Sequence, residues 1–223
     1  MPVGILVNCL CVLVGGLLGQ LLRRCITPRL RASLPVLFGF VAMAMGIMKI
    51  GSTSDVLPVT LSVLLGGVIG EVLNIDAALR CAARRAAGLL GRGTSEETVE
   101  YLVLGIVAFC VSGTGIYGAL VEGFSGDSAI LLSKAGLDFF TAILFASIAG
   151  ISIAALCVPQ AVIMLLCFCI SGLVFPMLSE AARACFLSVG GVLTMMNGFA
   201  VAKLAPIKPA NVLPALILVL FLG

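Results

Sequence analysis

The sequence predicts an all-α fold, a polytopic transmembrane helix bundle of about eight spans, and three observations predict it. Of the 223 residues, 61% are apolar and only 10% are charged, whereas about a quarter of the residues of soluble domains are charged. The apolar runs are continuous, unlike the short alternating segments of a membrane β-barrel. Lipid also offers no partners to backbone polar groups, so each run must be a helix.

The apolar runs divide the chain into segments of the length that a membrane helix needs. The predicted spans cover residues 4–22, 33–51, 56–73, 98–119, 130–157, 160–177, 185–203 and 210–223. The last span is short and contains Pro214. The first run is not read as a signal peptide, because its arginines follow it rather than precede it. We therefore expect one transmembrane domain over residues 1–223.

A polar connection, residues 74–97, separates the third and fourth predicted spans. Residues 74–76 predict the start of an amphipathic helix that lies in the membrane interface. Thr94 and Glu97 have capping-box spacing, which predicts the start of the fourth span. Three arginines share one side of the amphipathic helix, namely Arg80, Arg84 and Arg85.

The positions of lysine and arginine predict the orientation of the bundle. Basic residues concentrate in the loops after the first, third and seventh predicted spans. With about eight spans, the loops after odd-numbered spans all lie on the same side of the membrane. That side is predicted to be the cytoplasm, with both termini outside. The basic residues of these loops are Arg23, Arg24, Arg29, Arg31, Arg80, Arg84, Arg85, Arg92, Lys203 and Lys208.

Two parts of the chain resemble each other, and residues 37–67 correspond to residues 187–223. The correspondence predicts that residues 1–73 and 160–223 are repeats around central spans at 98–157. Because the offset is five predicted spans, an odd number, the copies have opposite orientations, as in many secondary transporters. The alternative is chance similarity between glycine-rich apolar segments. The matched glycines are Gly39 with Gly191, Gly46 with Gly198, and Gly16 with Gly172.

The fifth predicted span carries two charged residues near its start, in the stretch "SKAGLDFFTAILFAS". Lys134 and Asp138 are four residues apart and therefore share a helix face, which continues to Thr141. Ionisable residues inside a membrane are costly and mark functional sites. In one interpretation Asp138 faces a cavity and binds a proton, a cation or a substrate amine. In the other, the pair is self-neutralised at the outer mouth, with Lys134 reaching the headgroups.

The fourth predicted span contains "CVSGTGIYG", where Ser112 and Thr114 lie among glycines. Such a helix unwinds easily, and the freed backbone groups can coordinate an ion. The alternative is a close helix crossing with both hydroxyls bonded to their own backbone. Asn8 and Asn197 are buried amides that either line the same cavity or bridge helices. Lys49, near a span end, is explained by reaching the interface.

Several kinds of chemistry are disfavoured by composition. The chain has nine cysteines and no histidine, and residues two apart on a helix point about 200° apart, so neither C-x-C pair can hold a metal. No nucleophile–base set and no G-x-S-x-G elbow is present, so the chain is not expected to be an enzyme. No cofactor motif and no nucleic-acid patch appears either.

Segments spread along the chain carry a resemblance to a known family. They include "GILVNCLCVLVGGLLGQLLRR", "LSVLLGGVIGEVLNID", "FCVSGTGIYGALVEGFSGD", "LLSKAGLDFFTAILFASIAGISIAA" and "VGGVLTMMNGFAVAKL". The chain resembles the bacterial membrane proteins called domain of unknown function 554. The resemblance implies a polytopic inner-membrane protein, for which a transporter is the usual guess. It highlights Asn8, Gly15, Gly16, Glu71, Gly118, Lys134, Asp138, Gly150, Asn211 and Pro214.

Two function hypotheses remain open at this point. The first is a small secondary transporter or ion-coupled permease in the lipid bilayer, moving an unknown small solute or ion by alternating access. The second is a non-transporting assembly or regulatory module that docks through small-residue helix faces. A homo-oligomer is compatible with either. The predicted substrate or ion-binding residues are Asp138, Lys134, Ser112, Thr114, Thr141, Asn197 and Asn8.

Overall fold

A computed structural model describes residues 1–25, 27–89 and 95–223, and these residues form helices and connecting loops without any strand. Short π and 3₁₀ segments interrupt or extend the α-helices at Ile106–Cys110, Gly150–Leu156, Phe175–Met177 and Pro209–Val212. The α-helices in the described residues are α1 (Val3–Leu22), α2 (Pro28–Ile50), α3 (Val56–Leu73), α4 (Ile75–Leu89), α5 (Glu96–Gly105), α6 (Gly113–Ser125), α7 (Ala129–Ala149), α8 (Cys157–Val174), α9 (Glu180–Val201) and α10 (Ala215–Leu222).

Six stretches of the described chain are helical, apolar and long enough to cross a membrane. They are Val3–Leu22, Ala32–Ile50, Val56–Leu73, Glu96–Ser125, Ala129–Met177 and Glu180–Val201. A shorter apolar helical segment, Pro209–Leu222, follows them. The expectation of an all-α polytopic membrane protein is thereby confirmed, whereas the number of about eight spans stays a prediction.

The start of α5 differs from the predicted capping box. The Ser95 hydroxyl accepts a hydrogen bond from the Thr98 amide over 3.2 Å and caps the helix that begins at Glu96. Serine is one of the preferred residues at this position, because its side chain satisfies an amide that the helix leaves free. Thr94, the predicted cap, lies outside the described residues.

The predicted extent of the fifth span, 130–157, is wrong at its end. α7 stops at Ala149, and Gly150 adopts a φ of 81°, which only glycine reaches without strain. The following 3₁₀ segment turns the chain back along α1, so that Ala154 packs against Gly16. Pro159, between the fifth and sixth predicted spans, lies in the first turn of α8, where its missing amide removes no helical bond.

The first three helices each pack on a helix from the second half of the chain. α1 runs parallel to α7, since Gly4 lies against Leu131 and Gly19 against Ala146. α2 packs antiparallel to α9, and α3 likewise packs antiparallel to residues 209–222. Glycines at these contacts let the backbones approach closely, as is usual between membrane helices.

Charged side chains gather where α3, α4 and the 203–212 segment meet. Arg80 pairs with Asp76 over 2.6 Å. The Asp76 amide donates to the Asn211 side-chain oxygen over 2.7 Å, and the Asn211 amide donates to Glu71. The basic connections after the third and seventh predicted spans therefore lie at the same end of the molecule. Which side of a membrane this end faces stays a prediction.

Candidate functional site

Lys134 and Asp138 form an ion pair inside the bundle. Both side chains are only 4% exposed. The Lys134 amine donates to the Asp138 carboxylate and, over 3.2 Å, to the Ala108 carbonyl. Asn8 of α1 donates its side-chain amide to the same carboxylate over 2.9 Å. The pair therefore faces protein, which is the arrangement that a cavity site requires and that a headgroup position does not.

The predicted break in "CVSGTGIYG" is present in the structure. α5 passes into a π segment at Ile106–Cys110, residues 111 and 112 leave the helix, and α6 restarts at Gly113. The interruption makes the Ala108 carbonyl available to Lys134. α9 comes close at this point, because a Cβ added to Gly113 would lie 2.7 Å from the Gly190 Cα. The break thus puts backbone polar groups beside the ion pair.

A cavity of about 60 Å³ lies between α2, the helix break, α7 and α9. It has room for a few water molecules or a small ion. Apolar side chains such as Phe38, Phe145 and Leu193 form much of its wall. The sequence-predicted site residues that line it are Ser112, Lys134, Asp138, Thr141 and Asn197.

The two other predicted site residues contact the groups that line the cavity. Asn8 reaches it only through Asp138. Thr114 accepts a hydrogen bond from the Lys49 amine over 2.6 Å. Thr141 lines the cavity, although its hydroxyl donates to the Leu137 carbonyl of its own helix. The structure thus brings all of the predicted residues to one region, with Asn8 and Thr114 in supporting positions.

Sequence reasoning missed Lys49, which was expected to reach the membrane interface. Its side chain lines the cavity instead, and its amine bonds to Thr114. No ion pair joins Lys49 to a carboxylate in the part of the chain that the structure describes. A signal was available, because Lys49 follows Gly46 by three residues and therefore lies near the glycine-marked packing face of α2.

Gln160 is a second residue that the sequence did not reveal. It is fully buried in α8 and donates its side-chain amide to the Asn8 side-chain oxygen. Asn8 in turn donates to Asp138, so a chain of hydrogen bonds connects α8, α1 and α7. This network fixes the orientation of the Asn8 amide, since its oxygen and its nitrogen each have a partner.

Glu122 has a structural task at the edge of this region. Its buried carboxylate accepts hydrogen bonds from the Gly4 and Ile5 amides over 2.6 and 3.1 Å. The first amides of a helix lack partners within it, and they carry the positive end of the helix dipole. Glu122 therefore fixes the start of α1 to the end of α6.

The described residues contain no cluster of three or more histidine, cysteine, aspartate or glutamate side chains that could hold a metal ion. The cysteines are all free, and several, such as Cys110 and Cys185, are buried. In this environment cysteine packs as a small apolar residue.

Comparison with known proteins gives a consistent family relationship over the whole chain. The family model described as "Protein of unknown function (DUF554)" matches residues 3–223. "Uncharacterized protein YqgA" of Escherichia coli (strain K12) is 34% identical, over 98% of this chain and 94% of that protein. "Uncharacterized membrane protein YdfK" of Bacillus subtilis (strain 168) is 26% identical, over 96% and 93%. No solved structure matches significantly.

Proposed function

Since this chain belongs to the DUF554 family of proteins of unknown function, we propose that it is a small secondary transporter or ion-coupled permease. One observation carries the proposal, namely the cavity beside the buried Lys134–Asp138 pair and the broken helix. Polar groups converge there inside an otherwise apolar bundle, as they do in transporter sites. The proposed location is the inner membrane of a bacterium, with both termini outside.

The energetics of the ion pair support a functional role. Two charges lose their hydration when they are buried, and apolar residues of similar volume are often equally or more stabilising. The bundle therefore does not need Lys134 and Asp138 for its stability. Ionisable residues in this position mark solute and ion pathways in other membrane proteins.

The contact between α2 and α9 supports the proposed inverted repeat. In the predicted repeat, Gly39 corresponds to Gly191 and Gly46 to Gly198. If the repeats are related by a twofold axis, a contact between Gly39 and Gly198 must be matched by a second contact between Gly191 and Gly46. Both contacts occur: an added Cβ on Gly39 would lie 2.6 Å from the Gly198 carbonyl oxygen, and one on Gly46 would lie 2.7 Å from that of Gly191. A twofold axis in the membrane plane has this effect.

In the proposed mechanism the repeats 1–73 and 160–223 move against the central segment 98–157 and open the cavity to each side in turn. Residues 74–97 form the proposed cytoplasmic connection. Asp138 is the proposed coupling carboxylate. When it takes up a proton, its ion pair with Lys134 ends, and the lysine amine becomes available to a solute in the cavity.

Access of water to the cavity tests the proposal. Single cysteines replace Thr141 or Asn197 in a variant without the native cysteines, and the protein is reconstituted in liposomes. We expect a small water-soluble thiol reagent to label both positions, because both line the cavity. Ala146→Cys is the matched control on α7; Ala146 is fully buried against Gly19 and should stay unlabelled.

Absence of labelling at both cavity positions, from either side, would contradict a water-filled path. The bundle would then be dry and packed, and the alternative of a non-transporting assembly or regulatory module would replace the transporter. Labelling of one position from both sides of the membrane would agree with alternating access.

A further inference from the structure

We propose that the cavity binds a small monovalent anion, held between the Lys49 amine and the amino-terminal end of α6. This assignment rests on the proposed function, because it names the class of solute for the same cavity. Three independent features of the cavity lead to it: the balance of charge, the direction of the broken helix and an amide without a full set of partners.

The cavity carries an excess of positive charge. Lys49, Lys134 and Asp138 are the ionisable side chains among the described residues that line it. The Asp138 carboxylate accepts hydrogen bonds from Lys134 and Asn8 at its Oδ2 atom, and its negative charge is already offset by the Lys134 amine. Lys49 has three N–H donors, but its one hydrogen bond in the described structure goes to the Thr114 hydroxyl.

Lys49 is partly buried, and an unpaired cation in such a position is costly, because the surroundings solvate it less well than water does. Its cost falls when an anion pairs with it at close range. A cation in the same cavity would instead be repelled by both Lys49 and Lys134. The charge balance therefore selects an anion, and a single negative charge neutralises the excess.

The second half of the broken helix, α6, points its amino-terminal end at the cavity, and this orientation favours an anion. α6 begins at Gly113, about halfway along the Glu96–Ser125 stretch, and both Ser112 and Gly113 line the cavity. The first amides of a helix have no partner within it, and here the Ser112 side chain does not cap them. Helix amino termini bind anions through these amides and through the helix dipole.

Asn197 gives the third, independent indication of a ligand. Its side chain is 7% exposed and lines the cavity from α9, and its Oδ1 atom has no partner among the described residues. A buried polar atom without a partner is rare and calls for a water or a ligand. The oxygen and nitrogen of an asparagine amide exchange places by a 180° rotation, which would present an N–H donor to an anion.

The size of the cavity limits the anion to a few atoms. Pockets for drug-sized ligands measure about 300–1,000 Å³, whereas this one measures about 60 Å³. Chloride, nitrate and formate belong to the permitted class. Sugars, amino acids and nucleotides do not fit without a large opening of the bundle.

Thermal unfolding of the purified protein tests this assignment. Sodium chloride, nitrate or formate is titrated against sodium gluconate at constant ionic strength. We expect Tm to rise saturably with the small anions only, because a ligand that binds the folded state stabilises it by mass action. In Lys49→Gln the apparent Kd should rise by about tenfold or more. Lys49→Arg should retain binding, and Lys203→Gln, which removes an exposed lysine outside the cavity, should match the wild type.

A second measurement covers the case in which Lys49→Gln does not fold. Thr141→Cys with Lys49 intact should be protected from the thiol reagent by chloride, nitrate or formate and not by gluconate, because Thr141 lines the cavity while its hydroxyl bonds within its own helix. A wild-type Tm without an anion-specific rise, an undiminished rise in Lys49→Gln, or absence of protection would each overturn the anion assignment. If Thr141→Cys is still labelled in that event, the transport proposal stands. If it is not labelled, both proposals fail.

Discussion

Asp138→Asn is expected to destabilise the folded protein by about 3–5 kcal/mol, because it leaves a buried lysine without its counter-charge. The Lys134 side chain is 4% exposed, and its amine would keep only neutral acceptors, namely the Ala108 carbonyl and the amide oxygen of the substituted side chain. Asparagine preserves the shape of aspartate, so the loss of stability comes from the missing charge rather than from altered packing. Thermal unfolding in detergent, together with the folded fraction recovered by size exclusion, measures the effect.

Two control variants separate the ion pair from general damage. The double variant Lys134→Met with Asp138→Leu should recover most of the stability, since apolar replacements of a buried pair are often neutral or stabilising. It should nevertheless lose the transport activity that we propose for this protein. Glu96→Gln removes one partner of the exposed Arg84–Glu96 pair, whose side chains are 50% and 73% exposed, and should change little. An Asp138→Asn protein as stable as the wild type would refute the buried ion pair.

Gly16→Ala is expected to cost about 1–3 kcal/mol through overpacking. The added Cβ would lie 2.6 Å from the Cα of Ala154, so α1 and the 150–156 segment would have to separate. Gly172→Ala is the matched control at the position that the proposed repeat pairs with Gly16. Nothing lies within 4 Å of its added Cβ, and alanine in place of a helical glycine should stabilise by about 0.5–1 kcal/mol.

The two Tm values should therefore move in opposite directions. Equal changes in Gly16→Ala and Gly172→Ala would contradict the close packing of α1 on the reversed segment. The contrast also bears on the repeat, because two positions that correspond in sequence have different surroundings. The proposed symmetry relates the paths of the helices and does not extend to every contact.

The features that could be predicted from the sequence depend on local spacing. The i, i+4 separation puts Lys134 and Asp138 on one helix face, and the polar glycine-rich stretch around Ser112 predicts an interrupted helix. In a chain with 10% charged residues, each ionisable group within a span is conspicuous. The approximate extents of most helices follow in the same way from long apolar runs.

The features that could not be predicted depend on distant partners or on a single backbone angle. Lys49 and Thr114 are 65 residues apart, and Gln160 and Asn8 are 152 residues apart, so no local pattern reports either contact. Gly150 is one of 26 glycines; the family resemblance highlights it, but no local pattern marks it or Gly126 as a glycine with a positive φ.

The pairing of early helices with late ones also constrains how the protein is made. α1, α2 and α3 leave the ribosome first, yet their partners are α7, α9 and the 209–222 segment. Until those segments are synthesised, the glycine faces of the first three helices lie against lipid or against the insertion machinery. A nascent chain that stalls before Glu180 lacks α9, the helix on which α2 packs. Assembly of this bundle is therefore completed only as translation ends, and a chain released earlier exposes the glycine face of each early helix whose partner has not yet been made.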